Sequence, residues 1–418
     1  MKRLFPVLIL FVCLSASTAS AQVQAIRDFD VYDSVGVNTH WTYGSPYRYL
    51  PKFNSLIVKM QDAGIHHFRD GEQWAGYNTP SWVTSMYTQL NAAGLKADLI
   101  ISYPQTVDQL ETGLRKYPGL ESIELMNEWD YNGGSNWVSS ARQMLPIAHQ
   151  AGLDLELPVL GLSLVQASSF SKLGDISEYL SYGNVHDYQG NRNPETPGWG
   201  GGVDAQGNGY GSILWNRDMA HEYAPGRPAI STETGFQTGS WSGAIPETIQ
   251  GTYAPRVYLA RFKRGIKRTY IYELVDDPDG WSSYGLLRYD LSPKPAYTAI
   301  ANMQEMLEDS HAPFTPGKLA YTLTGNTANV ETLLLQKSAG QYWLAVWLDQ
   351  SIWDVDRHVA TPIPSQQVTL TISNGMDAGF AAFFQPDGTV RNVWPGTSKY
   401  TFNASSCLTL IRIFWPGK

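Results

Sequence analysis

Two short runs of this sequence end in glutamate. Glu121-Ser122-Ile123-Glu124-Leu125-Met126 reads as a strand giving way to Asn127-Glu128. Pro228-Ala229-Ile230-Ser231-Thr232-Glu233 reads as a second strand, followed by Thr234-Gly235. Two carboxyl groups held close together can divide a reaction, because different surroundings move their pKa values apart. One keeps its proton and gives it to a leaving oxygen; the other stays ionised and attacks carbon. Hydrolysis of a β-glycosidic bond with retention needs such a pair at roughly 5–5.5 Å. A single glutamate at a strand end is more often a cap or a surface residue. Two of them, Glu128 and Glu233, one preceded by asparagine, point to a site.

Such a pair needs a frame that brings distant strand ends to one place. Val35 to His40 reads as a first strand, followed by a helix with Phe53, Leu56, Ile57, Met60 and Ala63 at helical spacing and a stop at Gly64. Further strands are expected at Ile65 to Arg69, Leu95 to Ser102, the run ending at Met126, Pro158 to Ser163, Asn184 to Tyr188, the run ending at Glu233, and Arg268 to Leu274. Helical patterns separate them, and Lys294 to Glu308 reads as the closing helix. Eight strand–helix alternations in one block predict an α/β fold, a (β/α)8 TIM barrel whose strand ends all open on one face. The Glu128 and Glu233 strands are its fourth and seventh.

From about Ser310 the rhythm becomes that of short alternating strands: Leu319 to Thr324, Val330 to Gln336, Tyr342 to Leu348, Gln367 to Ile372, Gly379 to Phe384 and Tyr400 to Trp415. That predicts a C-terminal all-β sandwich module. The expected division is a signal peptide over residues 1–21, a catalytic barrel over 22–309 and a β-sandwich accessory domain over 310–418.

In this arrangement the chain resembles clan A of the retaining glycoside hydrolases, most closely the xylosidase-like family 39 and the cellulase-like family 5. Asn127-Glu128 closing strand four, Glu233 closing strand seven and the strand order carry the resemblance, which spans about Val35 to Glu308. It implies Glu128 as general acid/base, Glu233 as nucleophile and Asn127 as a hydrogen-bond donor to the sugar 2-hydroxyl. Arg69 ends strand two, where the clan carries an arginine near the nucleophile, and a fixed positive charge there would keep Glu233 ionised; a structural ion pair with Asp70 or another acid is the alternative. His186 and Tyr188, two apart at the end of strand six, face the same way. Tyr188 would hydrogen-bond Glu233 and His186 would line the floor; core packing is the alternative for both. His40 is a similar substrate-contact candidate.

Strand eight departs from the clan. Where many members place a tryptophan platform, this chain reads Tyr270-Ile271-Tyr272-Glu273-Leu274. Glu273 reads equally as a sugar-hydroxyl contact or a buried structural acid, and Trp281 is the substitute platform. Aromatic residues crowd the loops after strands: Trp41, Tyr43, Tyr47, Trp74, Trp129, Tyr131, Trp199 and Trp241. Sugar rings stack on aromatic faces, so the loops suit a cleft taking several sugars, with Trp129 among the supporting candidates.

Composition bounds the alternatives. A chain of 418 residues, 43% hydrophobic and 16% charged, can bury a large core. A net charge of -8 argues against a nucleic-acid partner. Met1-Lys2-Arg3, an apolar Leu4 to Leu14 and Ala19-Ser20-Ala21 match a cleaved secretory leader, giving Gln22 as the mature start, which implies a secreted or periplasmic protein. Cys13 lacks the small residues of a lipoprotein site. Cys407 then remains alone, without a disulfide partner, and no later stretch suits a membrane span.

Weaker motifs are set aside. Trp199 to Gly211 lacks the ending of a phosphate cradle and reads as a rim loop. Asp276-Asp277-Pro278-Asp279-Gly280 has a calcium-loop flavour without the spacing or terminal glutamate of an EF-hand. Gly161-Leu162-Ser163 lacks the second glycine of a nucleophile elbow. The expectation is a monomeric, endo-acting β-glycosidase with a polysaccharide or oligosaccharide substrate and neither metal nor organic cofactor. The alternatives are an exo-acting, xylosidase-like glycosidase and an inactive carbohydrate-binding protein.

Overall fold

In a computed structural model of the chain, residues 22–43, 49–71, 79–101, 106–200, 206–278, 280 and 283–416 are described. The path starts with β1 (Gln22–Gln24), β2 (Ile26–Arg27) and helix α1 (Asp28–Tyr32). Eight parallel strands follow: β3 (Val35–Asn38), β4 (His67–Gly71), β5 (Lys96–Ile100), β6 (Leu120–Glu124), β7 (Val159–Leu160), β8 (Gly183–His186), β9 (Ala229–Thr234) and β10 (Ile266–Ile271). They hydrogen-bond in the order β7-β6-β5-β4-β3-β10-β9-β8. The remaining seam closes through a parallel bridge between Leu160 and Tyr182, with Gly161 N–H donating to Tyr182 O at 2.9 Å. The expected (β/α)8 barrel is therefore present. Its fifth strand is only two residues long, not the six of Pro158 to Ser163, because Gly161 onward leaves the ladder to support the fourth strand's loop.

The strands are buried on both faces, as a parallel sheet wrapped by helices requires. Helices α2 (Phe53–Asp62), α3 (Ser81–Ala92), α4 (Val107–Leu114) and α6 (Trp137–Leu155) turn an apolar stripe inward. The one-turn helix α5 (Trp129–Asn132) precedes α6, and α7 (Ala167–Leu173) and α8 (Ile213–Tyr223) follow it. Hydroxyl caps start two of these helices: Thr106 accepts from Gln109 N–H and Ser212 from Trp215 N–H. Helix α9 (Glu247–Lys263) is different, being buried without a break from Ile249 to Arg261. Its outer side faces the C-terminal module, where Gly251 lies so close to Pro386 O that a Cβ would stand 2.8 Å away. Helix α10 (Pro295–Leu307) opens on proline and completes the ring.

The C-terminal module is a sandwich of a four-stranded antiparallel sheet and a six-stranded mixed sheet, with a small separate hairpin. Its strands are β11 (Lys318–Gly325), β12 (Val330–Gln336), β13 (Tyr342–Leu348), β14 (Trp353–Asp354), β15 (Val359–Ala360), β16 (Gln366–Ile372), β17 (Asp377–Phe384), β18 (Val390–Val393), β19 (Lys399–Ala404) and β20 (Thr409–Phe414). The run Tyr400 to Trp415 is two strands, not one. β19 pairs with β16 in one sheet and β20 with β13 in the other, so the chain crosses between sheets at Ser405–Leu408.

Residues 22–27, placed with the barrel in the sequence reading, lie in the module instead. β1 pairs antiparallel with β11, and β2 runs parallel to β12. The two-residue strand β2 has too little pattern to be seen in the sequence. Trp343, Trp347 and Trp353 belong to the same hydrophobic cluster as the barrel's outer helices, so that cluster runs on into the module, whose two sheets enclose a second core of their own. A buried pair, Arg256 and Glu195, ties them further: Trp347 Nε1 donates to Glu195 at 2.8 Å and Arg256 to Ser406 O at 3.1 Å. Cys407 is a buried free thiol. Among the described residues, no helix is long and apolar enough to cross a membrane.

Candidate active site

Glu128 stands four residues beyond the end of β6, at the entry to α5, with φ 47° and ψ 44°. A left-handed conformation costs a non-glycine residue about 1–3 kcal/mol and persists only where surroundings impose it. Here Glu128 N–H donates to Ser163 Oγ at 3.0 Å, while Tyr131 and Asn132 N–H both donate to Glu128 O at 2.9 Å. Asp130 accepts from Val165 and Gln166 N–H, which locks the turn onto the loop after β7. The Glu128 side chain keeps 31% of its surface exposed, and its Oε1 lies 3.0 Å from His186 Nδ1.

Glu233, next to last in β9, is held at both oxygens. Arg69 Nη1 donates to Oε1 at 2.6 Å and the Tyr188 hydroxyl to Oε2 at 2.9 Å. His186 Nδ1 is 3.7 Å from Oε2, between the two acids. One side-chain atom each of Glu128, His186 and Glu233 all lie within 4.8 Å of one another. Burial pushes the Glu233 carboxyl up, but His186, the Arg69 charge and the hydrogen bonds from Arg69 and Tyr188 outweigh it and hold the group below the ordinary carboxylate range. The three side chains also form a set of metal-ligand type, yet the permanent guanidinium charge on Glu233 opposes a cation there.

Arg69 is the hub. Its Nε and Nη2 grip Glu124 at 2.6 and 2.8 Å, Nη1 also reaches Asn38 Oδ1 at 2.9 Å, and Nη2 reaches Asn127 Oδ1 at 2.7 Å. Asn127, with its oxygen committed to Arg69, has its amide free to turn toward a ligand as a donor. Glu124, fully buried, further accepts from Asn184 Nδ2 at 3.0 Å. Thr232 Oγ1 bonds Asn184 Oδ1 at 2.7 Å. Beside Glu124, burial and the Glu124 charge push the Asp98 carboxyl well up. Side chains of β3, β4, β6, β8 and β9 thus form one polar plug under the mouth. The sequence reading did not single out Glu124 and Asn184; their inward position on the strands that lead to Glu128 and His186 was the available signal.

The remaining candidates divide. His40 and Glu273 lie together, Nδ1 to Oε2 at 3.1 Å, both almost wholly buried. Burial, with Asp276 and Glu233 nearby, pushes the Glu273 carboxyl well up. Of its two readings, the buried structural acid is the one that matches full burial, and the partly exposed residue beside it is Tyr272. Tyr272 extends a ring contact series, with Tyr284 at 5.6 Å and His40 at 5.8 Å, and Tyr284 continues it to Tyr188 at 6.0 Å. Trp281, Trp74 and Tyr47 lie outside the described residues. Trp129 packs on the core and donates Nε1–H to Ser140 Oγ at 2.8 Å, which steadies Glu128 from behind. Trp41 is a core residue at 0% exposure, not a rim aromatic, because its ring packs edge-on against Tyr49, Phe53 and Phe68. Tyr131 and Trp241 are exposed, at 74% and 47%. Asp276 is engaged by Lys294 Nζ at 2.7 Å and Gly285 N–H at 2.8 Å, so an ammonium stands where a calcium loop would have its cation.

No family model and no curated protein matches this sequence. Among solved structures, the chain is similar to a family 39 glycoside hydrolase from the gut symbiont Bacteroides cellulosilyticus WH2. That match has a TM-score of 0.59 at 15% identity and covers 92% of this chain and 82% of the other. SrfJ from Salmonella typhimurium gives a TM-score of 0.48 at 9% identity, covering 95% and 91%. A Faecalibacterium prausnitzii β-glucuronidase gives 0.46 at 15% identity over 68% of this chain, which spans about half of that protein's length (49%).

Proposed function

We propose that the chain is a retaining β-glycosidase, with Glu233 as nucleophile and Glu128 as general acid/base. The observation that carries this reading is the pair itself: two carboxylates within 4.8 Å at the barrel's open face, one of them pinned by Arg69 and Tyr188. That closeness supports retention, since the carboxyl groups of an inverting pair stand roughly 6.5–9.5 Å apart to leave room for water. The family 39 likeness, which concerns the fold, is consistent with the same chemistry.

Glu233, ionised, attacks the anomeric carbon while Glu128 passes its proton to the leaving oxygen. The glycosyl–Glu233 ester then removes the negative charge that Glu128 faces. Glu128, now without its proton, takes one from water, and the hydroxide releases the sugar with its configuration retained. Asn127, fixed by Arg69, presents its amide to the sugar beside Glu233, and His186 steadies both carboxylates. No step draws on a metal or organic cofactor. The substrate in this reading is a polysaccharide cut internally, supported by the exposed aromatic residues Tyr131 and Trp241. Residues 1–21 are proposed as a secretory leader delivering the enzyme to the periplasm or medium.

The test is a time course on β-linked polysaccharides with product lengths and anomers followed by proton NMR. An early ladder of oligosaccharides appearing as the β anomer is the expected result. A single short product would replace internal with terminal cleavage, and first appearance of the α anomer would overturn retention. Glu128→Gln separates the two roles. Turnover of unactivated glycosides is expected to fall about 10²–10⁴-fold, the range of general acid–base catalysis, while dinitrophenyl glycosides, which need no proton, keep their first step. An equal loss on both substrates would remove Glu128 from the acid role.

A further inference from the structure

A cleft of about 390 Å³ adjoins the proposed nucleophile, and the C-terminal module forms part of its wall. Its lining includes Tyr188, whose hydroxyl donates to Glu233. It also includes Val355, Asp356 and His358, from the turn of the β14–β15 hairpin. Trp241, 47% exposed, on the loop after β9, lines it as well. We propose that this cleft is a second sugar subsite, holding the unit next to the one cleaved, and that the hairpin of the β-sandwich completes it. The proposal rests on the glycosidase reading and extends it to a module so far assigned only packing.

The chemistry suits a sugar ring. Its apolar C–H face can lie on Trp241, and its hydroxyl edge meets groups that donate and accept, among them Asn191, Ser242 and Asp356. The volume falls in the range of small-molecule sites. The walls are also fixed before any ligand arrives. Asn191 Nδ2 donates to Gly243 O at 2.6 Å, joining the loops after β8 and β9. On the module side, Asp354 Oδ1 accepts from Asp356 and Arg357 N–H at 3.0 and 2.9 Å, which shapes the turn. Trp353 is buried at its base, and Ile352 N–H donates to Tyr253 OH of α9 at 2.8 Å. A hairpin anchored this firmly loses little freedom when it meets a ligand, which is how a subsite gains affinity.

The experiment compares kcat/KM on p-nitrophenyl β-glucoside, β-xyloside and β-mannoside with kcat/KM on the matching β-linked oligosaccharides of two to six units. Trp241→Ala and the double change Asp356→Ala/His358→Gly, all on exposed residues, are expected to lower the oligosaccharide-to-aryl ratio at least 10-fold, largely through KM. Glycine suits position 358, where φ is 54°. Trp394→Ala, an exposed change elsewhere on the module, should leave the ratio as it is. An unchanged ratio in the hairpin variant, in an enzyme that still cleaves aryl glycosides, overturns the subsite and leaves the catalytic reading standing. If nothing is cleaved but oligosaccharides bind the wild-type protein by calorimetry and not Trp241→Ala, the catalytic reading fails and the subsite survives. If no glycan is either cleaved or bound, both fall.

Discussion

Glu233→Gln should lower kcat on every glycoside by at least about 10⁴-fold, the scale on which removal of a covalent nucleophile acts. The change is nearly isosteric, and the Gln carbonyl can still accept from Arg69 while its amide N–H donates to the Tyr188 oxygen, so the protein should fold. Arg69 also keeps its two bonds to Glu124. Loss of turnover in a folded protein is therefore a statement about chemistry. A 2-deoxy-2-fluoro glycoside, which slows release of the ester, should add one glycosyl unit to the peptide bearing Glu233 in the wild-type enzyme and none in the variant. Turnover within tenfold of wild type, or an adduct on another peptide, would take the nucleophile's role away from Glu233.

The second large effect is expected at Arg69. Arg69→Met leaves Glu124, fully buried, without its charge partner, and a broken buried pair costs about 3–5 kcal/mol. Denaturant unfolding should show a loss of that size. The variant should also change the response to acid. Glu233 is held below its ordinary value of 4.5 against a burial effect that alone would raise it. Without the guanidinium its pKa rises, because one of the positive charges that favour the ionised form is gone. Activity then fails at a higher pH as the medium is acidified. The linked stability follows the same sign: a depressed carboxyl contributes stability above 4.5 that is lost as pH falls through the folded value, and the variant, left with His186 and Tyr188, has less of that contribution. Wild-type stability together with an unmoved acid limb would show that Arg69 does not hold the pair.

Why the barrel was legible and parts of the site were not has a physical explanation. Parallel strands buried on both faces are short apolar runs between helices, and Ile123, Val185 and Ile230 mark them without ambiguity. Strand five was expected in the right place but too long, because two residues of ladder hold no period to mark its end. Glu128 and Glu233 stood out by sitting at strand ends after recognisable runs. Glu124 did not, since a charged residue inside a strand gives no sign of its partner until Arg69, 55 positions earlier, is seen beside it. Tyr272 and Glu273 show the same limit in reverse. Which of two neighbours faces the mouth depends on how the chain leaves β10, and the sequence pattern does not specify that. The hairpin at Val355 to His358 joins the barrel mouth only through the three-dimensional docking of the module on α9.

The pairing of β1 with β11 and of β2 with β12 bears on how the molecule is made. Segments at 22–27 find their partners some 300 residues later, at 318–336, with the whole barrel synthesised between them. On a ribosome adding about 5–20 residues per second, that interval amounts to tens of seconds in which the early strands have edges and no partner. Long-range pairings of this kind form late. The two N-terminal strands would therefore stay unpaired beside a barrel whose own eight strands are already complete, until the strands of the module arrive to take them up.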